Sequence, residues 1–258
     1  MSSLLWVKMP SHWITAGGLN INFTSKHISE DIAALKIYIC LCLFSDIIQR
    51  KKAAPMQSDI LALKAPERTK EQFETSLTYD QISESTSLSR LMVSNGLKKL
   101  IKSNLIEKQG TTRKITYVII GLTYRSWCKL PKKELIKKGI IISAFSSFKQ
   151  RYKHERDALK LFLYFIAVRT NNKQYVDLSR GIISLKTGVP ISELDGALSF
   201  LTGIGLLKNI KSLGYLARPR SLSLTEEDRL HRYYVVGCEY LNLRRVYAES
   251  FEEPNYDF

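Results

Sequence analysis

The sequence lacks the cysteine spacings that metal sites and disulfide frameworks need. Its four cysteines, Cys40, Cys42, Cys128 and Cys238, form no C-x-x-C pair and have no histidine pair nearby. This pattern favours buried thiols in a reducing compartment. The most apolar run, residues 37–44, is too short to span a bilayer, and no basic leader with a long apolar core opens the chain. We therefore expect a soluble, cytoplasmic protein.

Motifs of catalysis are also missing. The chain has no GxxxxGK[ST] phosphate loop, no GxSxG elbow and no HExxH metal motif. Its four histidines are scattered, and we expect them to be ordinary surface residues: His12, His27, His154 and His231. The sequence therefore predicts a protein that is not an enzyme and that holds no metal and no cofactor.

Positive charge is in clear excess. The chain carries 39 Lys and Arg against 24 Asp and Glu, a formal net charge of +15. Such an excess raises the local concentration of a polyanion through long-range attraction, which makes nucleic acid the leading candidate partner. Because basic proteins also exist that bind nothing anionic, charge needs support from the motifs.

Several segments of the chain occur twice. WVKMP at residues 6–10 returns as WCKLP at residues 127–131, and ALKIY at residues 34–38 returns as ALKLF at residues 158–162. At a constant offset of 101, residues 82–108 align without gaps on 183–209. The identical positions are Ile82, Ser83, Thr86, Leu97, Leu100 and Leu105. These matches follow one another in the same order, which predicts an internal duplication.

The repeated block has the pattern of a helix-turn-helix followed by a hairpin. Residues 79–85 are helical in pattern, residues 86–88 form a tight turn, and Ser89 is placed to cap a helix that runs to about Ser103. Two β-rich segments around Gly110 then predict a hairpin, or wing. In the second copy we place the return strand of the wing at about residues 221–224.

We therefore predict a mainly α fold with small β wings, built as two tandem winged-helix modules related by internal duplication. The first module covers residues 1–121 and contains an inserted, exposed loop at about 49–77. A basic connector at 122–156 also begins the second repeat. The second module covers 157–248, and an acidic tail follows at 249–258.

Two winged-helix modules in one chain, each opened by an apolar helix, resemble the plasmid replication initiator proteins that bind repeated origin sequences. The resemblance implies sequence-specific binding of double-stranded DNA in replication of a plasmid or mobile element. A winged-helix transcriptional regulator and a non-enzymatic protein-interaction scaffold remain alternatives. Possible further partners are a second copy of the chain in a homodimer and the replication or transcription machinery.

The charge is unevenly distributed along the chain. Residues 1–121 hold 16 basic and 10 acidic side chains, residues 122–156 hold 10 and 2, and residues 157–258 hold 13 and 12. We therefore expect the first module and the connector to make most of the DNA contact. In the first module, candidate contacts to bases and phosphates lie on the second helix and the wing: Ser89, Arg90, Ser94, Asn95, Lys98, Lys99, Lys102, Lys108, Arg113 and Lys114.

The second module offers a poorer helix for reading DNA. It places Glu193 and Asp195 near the start of its second helix, where carboxylates would repel phosphates. Its wing and the connector still supply candidate phosphate contacts. Those in the connector are Lys129, Lys132, Lys133, Lys137 and Lys138, with a solvated surface as the alternative, and those in the wing are Lys208, Lys211, Arg218 and Arg220.

Overall fold

The computed structural model describes residues 4–49, 71–111, 114–121, 126–171, 173–215, 225–237 and 239. They form α-helices and small antiparallel sheets, a mixed α/β architecture. Among these residues, no helix is both long enough and apolar enough to cross a bilayer. The predicted acidic tail at 249–258 lies outside the described residues.

Residues 4–121, here called the first half, follow the predicted helix-turn-helix and hairpin pattern. The elements are β1 (Val7–Pro10), α1 (His12–Thr15), α2 (Gly18–Asn22), α3 (Ile28–Leu43), β2 (Asp46–Gln49), β3 (Glu71–Thr75), α4 (Tyr79–Thr86), α5 (Arg90–Lys102), β4 (Ile106–Thr111) and β5 (Lys114–Ile119). Ser89 is the N-cap of α5, as predicted, and Gly110 lies near the tip of the β4–β5 hairpin with a positive φ. Strands β2, β3, β5 and β4 form one sheet in that order.

Residues 126–239, the second half, repeat much of this order. The elements are β6 (Trp127–Leu130), α6 (Lys132–Leu135), β7 (Ile136–Lys138), β8 (Ile141–Ile142), a 3-10 helix (Ser143–Ser147), α7 (Lys153–Val168), β9 (Val176–Ser179), α8 (Arg180–Thr187), α9 (Ile191–Gly203), β10 (Leu207–Tyr215), a second 3-10 helix (Glu226–Asp228) and β11 (Arg229–Val235). Strands β9, β11 and β10 form a sheet that matches β3, β5 and β4 in order.

Two boundaries differ from the sequence prediction. The segment predicted as an exposed loop at 49–77 includes β3, which pairs with both β2 and β5 and buries Phe73. The loop prediction is therefore wrong at its C-terminal end, because a strand there completes the sheet; residues 50–70 lie outside the described residues. In the second half, the strand that pairs with β10 is β11, whereas the predicted return strand at 221–224 is not among the described residues.

The two long helices, α3 and α7, form the centre of one continuous apolar core. Helix α3 packs on α5 and α7, and α7 packs on α9. The core also contains the thiols of Cys40, Cys42 and Cys128, which confirms the prediction of buried cysteines there; Cys238 lies outside the described residues. Burial raises the pKa of the Cys40 and Cys128 thiols to about 12, so they stay protonated and unreactive.

Residues that are identical in the two sequence repeats have matching environments. Thr86 and Thr187 are both fully buried, and each donates its hydroxyl to the carbonyl four residues earlier. Leu105 and Leu206 are both buried, and each amide donates to a carbonyl at the end of the preceding helix, at 3.0 Å. The same side chains therefore fix the same local geometry twice.

The two tryptophan-led segments pair with each other. Strands β1 and β6 are antiparallel, and Lys8 lies opposite Lys129, its own counterpart in the repeat. The rings of Trp6 and Trp127 stack at 6.0 Å, with Lys129 Nζ 4.6 Å from the centre of the Trp6 ring and Lys8 Nζ 5.2 Å from that of Trp127. The strand pair is therefore locally symmetric about Lys8 and Lys129.

Candidate nucleic-acid interface

The helix pair α4 and α5 is held in a fixed geometry by its caps. Thr78 and Gln81 form a reciprocal capping box at the start of α4. Ser87, with a φ of 53°, takes the left-handed conformation that ends α4. The Ser89 hydroxyl then accepts the Met92 amide at 3.3 Å and starts α5. The turn is built from short polar side chains because they satisfy the free amides at each helix start.

Close packing against α3 decides which face of α5 points outward. A Cβ at Gly96 would lie 2.6 Å from Ile37 Cδ1 and 3.0 Å from backbone atoms of Ala33 and Ala34. The glycine lets the two helices approach, and Val93, Leu97 and Leu100 are buried beside it. The face opposite these residues is therefore turned to solvent along the whole length of α5.

That outward face carries a polar and basic stripe with one aliphatic residue. Leu91, Asn95, Lys98 and Lys102 follow one another at helical spacing on the side opposite the buried residues. Leu91, Lys98 and Lys102 are exposed, and Asn95 is half-buried. Among the described residues, Lys98 and Lys102 have no ion-pair partner. This stripe, residues 91, 95, 98 and 102, is called the outward stripe below.

Two of the predicted contact residues are committed to other partners. Arg90 makes a bidentate pair with Asp80 on α4, with both nitrogen–oxygen distances 2.7 Å, and this contact lowers the pKa of the Asp80 carboxyl. Lys99 pairs with the fully buried carboxylate of Asp31 and lies 5.8 Å from the Phe23 ring centre. The charge of Lys99 is therefore engaged by a buried acid in this structure, and its contact with DNA stays a prediction.

Arg90, unlike Lys99, forms its ion pair at the surface. Its side chain and that of Asp80 are 69% and 72% exposed, so the pair lies at the surface beside the outward stripe. Its charge is compensated within the helix pair, whereas the sequence alone predicts a free cation. Ser89 is exposed, and its hydroxyl is engaged as the helix cap; Ser94 is half-buried.

The β4–β5 hairpin adds one described lysine to this side of the molecule. Lys108 is exposed on β4 and has no ion-pair partner among the described residues. Arg113 lies outside the described residues, and of Lys114 only the backbone in β5 is described. Among the described residues of this half, the exposed lysines without an ion-pair partner are Lys98 and Lys102 on α5, Lys108 on β4 and Lys26 just before α3.

The described connector lysines differ in their exposure. Lys129 is 8% exposed in β6, and burial lowers the pKa of its ammonium group. Lys132 is half-buried, with its Nζ 5.4 Å from the centre of the Phe44 ring. Lys133 and Lys137 are exposed, and the side chain of Lys138 is not described. The strand pairing with β1 turns Lys129 onto the Trp6 ring, and its contact with DNA stays a prediction.

The corresponding helix of the second half presents a different face. Helix α9 has no Lys or Arg between Ile191 and Gly203, and its exposed positions are small or acidic. Asp195 accepts from Arg180 of α8 at 2.8 Å, which lowers the pKa of the Asp195 carboxyl, and Glu193 pairs with Lys153 of α7. Both carboxylates are therefore compensated, and the surface of α9 is close to neutral.

The β10–β11 hairpin also contributes little free charge. Lys208 pairs with Glu239, and Lys211 is exposed. Arg218 and Arg220 lie outside the described residues. His231 is buried rather than exposed as predicted, because it lies on β11, the central strand between β9 and β10. It lines a cleft of about 490 Å³ beside α9, and burial lowers its pKa. The other three histidines are exposed, as predicted.

No cluster of three or more potential metal ligands occurs among the described His, Cys, Asp and Glu side chains. On the outward face of α5, the described side chains offer one amide and two ammonium groups to a partner. Comparison with known protein families and with curated proteins finds no match to this chain.

Proposed function

We propose that this protein binds double-stranded DNA sequence-specifically through α5, as the reading helix of the first of two tandem winged-helix modules. The observation that carries the proposal is the outward stripe of α5, which presents an amide and two lysines that have no ion-pair partner among the described residues. A helix of this kind, following a tight turn, fits the major groove, where amides bond to base edges and lysines bond to phosphates.

The tandem arrangement is supported by the repeated environments. Each half has a long central helix, a helix pair and a hairpin in the same order, and Thr86 and Thr187 occupy the same buried place. The symmetric pairing of β1 with β6 relates the two halves as two subunits of a dimer would be related. We infer that the halves descend from one winged-helix unit and that they act as a single pseudo-symmetric body.

The electrostatic contrast between the halves supports the assignment to the first half. On α5 two lysines remain without partners among the described residues, whereas α9 offers no basic side chain at all. Each lysine that meets a phosphate releases condensed counterions, and this release supplies most of the sequence-independent affinity. The second half then contacts DNA weakly or not at all through its own helix.

The biological role that we propose is replication initiation on a plasmid or mobile element. Initiators with two such modules bind several repeated sequences near an origin, whereas a regulator of the same architecture binds one operator. Selection of binding sites from a random duplex pool tests sequence-specific DNA binding. Footprinting on the replicon that carries the gene then tests the role in replication initiation. A single enriched motif that occurs as direct repeats supports the proposal, a lone operator supports a transcriptional regulator, and a pool that enriches nothing contradicts DNA recognition.

A second candidate function, protein docking by the second half, is favoured by the exposed face of α8. Ile182 is 43% exposed and Leu185 is 72% exposed, whereas the matching positions of α4 are the polar Gln81 and Glu84. Adjacent exposed aliphatic residues on a helix face are typical of interaction surfaces. Sedimentation of the purified protein tests this function in the case where the partner is a second copy of the chain. Self-association of the wild type that is lost in the variant I182Q/L185E supports docking, and identical sedimentation profiles of the two proteins contradict it.

A further inference from the structure

One residue of the outward stripe has a chemistry that the packing of α5 does not require. Leu91 is 71% exposed at the second position of the helix, while Val93, Leu97 and Leu100 already fill its contact with the core. The position that corresponds to Leu91 in α9 is Ser192, an exposed polar residue. The first half therefore keeps a large aliphatic side chain in water at a place where the second half has a hydroxyl.

The local structure holds Leu91 at the leading end of α5. The preceding residue, Arg90, is tied to Asp80 by two hydrogen bonds of 2.7 Å, and Ser89 caps the helix. These contacts hold the backbone of the first turn, and with it the position of Leu91 on the outward face. One turn further along the same face lies Asn95, and Lys98 and Lys102 follow. The apolar side chain of Leu91 thus lies on the same helix face as an amide and two lysines, which can bind a polyanion.

Duplex DNA presents one apolar substituent in the major groove, the 5-methyl group of thymine. An aliphatic side chain at the leading end of a helix in that groove recognises it by contact. An asparagine amide forms paired hydrogen bonds with adenine N6 and N7. Leu91 and Asn95 together therefore match an A·T-containing step.

We propose that Leu91 is a specificity-determining residue that contacts the methyl group of a thymine in the preferred site, with Asn95 one helical turn away bonded to an adenine. This inference rests on the proposed binding of duplex DNA by α5. It adds the class of sequence that α5 recognises, namely a duplex site in which thymine and adenine occupy the positions under the first turns of the helix.

Replacing single thymines by uracil tests this inference, because it removes the methyl group and leaves base pairing unchanged. In the site selected from a random pool, one such replacement should weaken binding of the wild type about fourfold, the value of one buried methyl group. In the variant Leu91→Ala, the same replacement should have no effect. A matched control is Ile101→Ala, which removes the other exposed aliphatic residue of α5, 41% exposed near the C-terminal end, and which should keep the wild-type response.

The outcomes separate this inference from the function on which it rests. If the wild type binds no duplex, the proposed function fails. If the wild type binds but no thymine replacement weakens binding, or if Leu91→Ala keeps the full response, the assignment of Leu91 is overturned. A changed oligomeric state of Leu91→Ala with an unchanged response to uracil also overturns it, because Leu91 then serves a protein contact. Thermal denaturation of each variant shows whether it is folded. Because Leu91 is exposed, Leu91→Ala should keep the wild-type thermal transition.

Discussion

The helix pairs α4–α5 and α8–α9 share their buried residues and differ in their surfaces. Leu97 and Leu100 pack in the first pair as Leu198 and Leu201 pack in the second. Each pair also has one ion pair between its helices, but the charges are reversed: the acid Asp80 precedes the base Arg90, whereas the base Arg180 precedes the acid Asp195. The comparison teaches that similar buried side chains hold both helix pairs in place, while the outward faces of the two pairs differ.

A second difference concerns how the halves bury charge. Asp31 at the start of α3 pairs with Lys99 of α5 and lies 3.6 Å from Arg156 of α7, so a carboxylate of the first half meets cations from both halves. Its counterpart Glu155 accepts backbone amides, including those of Arg151 and Tyr152 at 3.0 and 3.1 Å. Both acids accept a backbone amide, from Ser25 at Asp31 and from Lys149 at Glu155, and Asp31 alone of the two is also paired with lysine and arginine side chains in the described residues.

The largest expected effect on stability comes from removing the buried charge of Asp31. Asp31→Asn removes the carboxylate that pairs with Lys99, while Arg156 keeps its pair with Asp157. Removing one partner of a buried pair costs about 3–5 kcal/mol of unfolding free energy. Chemical denaturation of the purified protein measures it. The exposed pair supplies the matched control, since Asp80→Asn should leave the denaturation midpoint nearly unchanged. Equal losses in the two variants would show that burial of Asp31 has no energetic consequence.

A smaller effect is expected from Gly96 of α5 and Gly196 of α9, which lie on corresponding helices but not at matching positions. Gly96→Ala places a Cβ 3.0 Å from the backbone of α3, and overpacking of this kind costs about 1–3 kcal/mol. A Cβ added at Gly196 of α9 would meet no atom within 4 Å, so Gly196→Ala should stabilise the protein by about 0.5–1 kcal/mol through helix propensity. Opposite signs in thermal or urea denaturation sharpen the comparison; the same sign for both would break it.

The smallest stability effect is a pH dependence from two matched lysines in the core. Burial lowers the pKa of Lys36 to about 7 and that of Lys160 to about 8. Lys36 donates to the Phe145 carbonyl at 3.1 Å, whereas Lys160 Nζ has no hydrogen-bond partner among the described residues. Since the unfolded lysines stay protonated up to about pH 10, the unfolded state binds more protons than the folded state above pH 7, and stability rises with pH.

The rise should amount to about 1 kcal/mol between pH 7 and pH 8 for Lys36 alone. Denaturation at these two pH values measures it, and Lys36→Met should flatten the slope more than Lys160→Met because the pKa of Lys36 is the lower. Above about pH 9 the buried thiols act in the opposite sense, since only the unfolded thiols ionise there. A wild-type stability that falls from pH 7 to pH 8 would contradict the assignment of two buried lysines.

Local patterns in the sequence predict the helix pair well. The cap at Ser89, the tight turn before it and the hairpin around Gly110 depend on neighbouring residues, and the structure confirms them. The partners of the charged side chains depend on contacts between distant segments. Nothing near Lys99 in the sequence indicates Asp31, and nothing near Lys129 indicates the Trp6 ring. For the same reason, the sequence does not predict strand β3 within the expected loop. Its partner strand β5 follows much later in the chain, after helices α4 and α5.

The central claim, that α5 of the first half meets the DNA and α9 of the second half does not, is tested most directly by the salt dependence of DNA affinity. The variant Lys98→Gln/Lys102→Gln removes both uncompensated charges of the outward stripe, and its control Lys173→Gln/Lys186→Gln removes the same charge from the second half. At about 0.9 per phosphate contact, the slope of log affinity against log salt should fall by about 1.8 in the first variant and stay at the wild-type value in the control. A wild-type slope in the first variant, or an equal fall in the control, would contradict the claim.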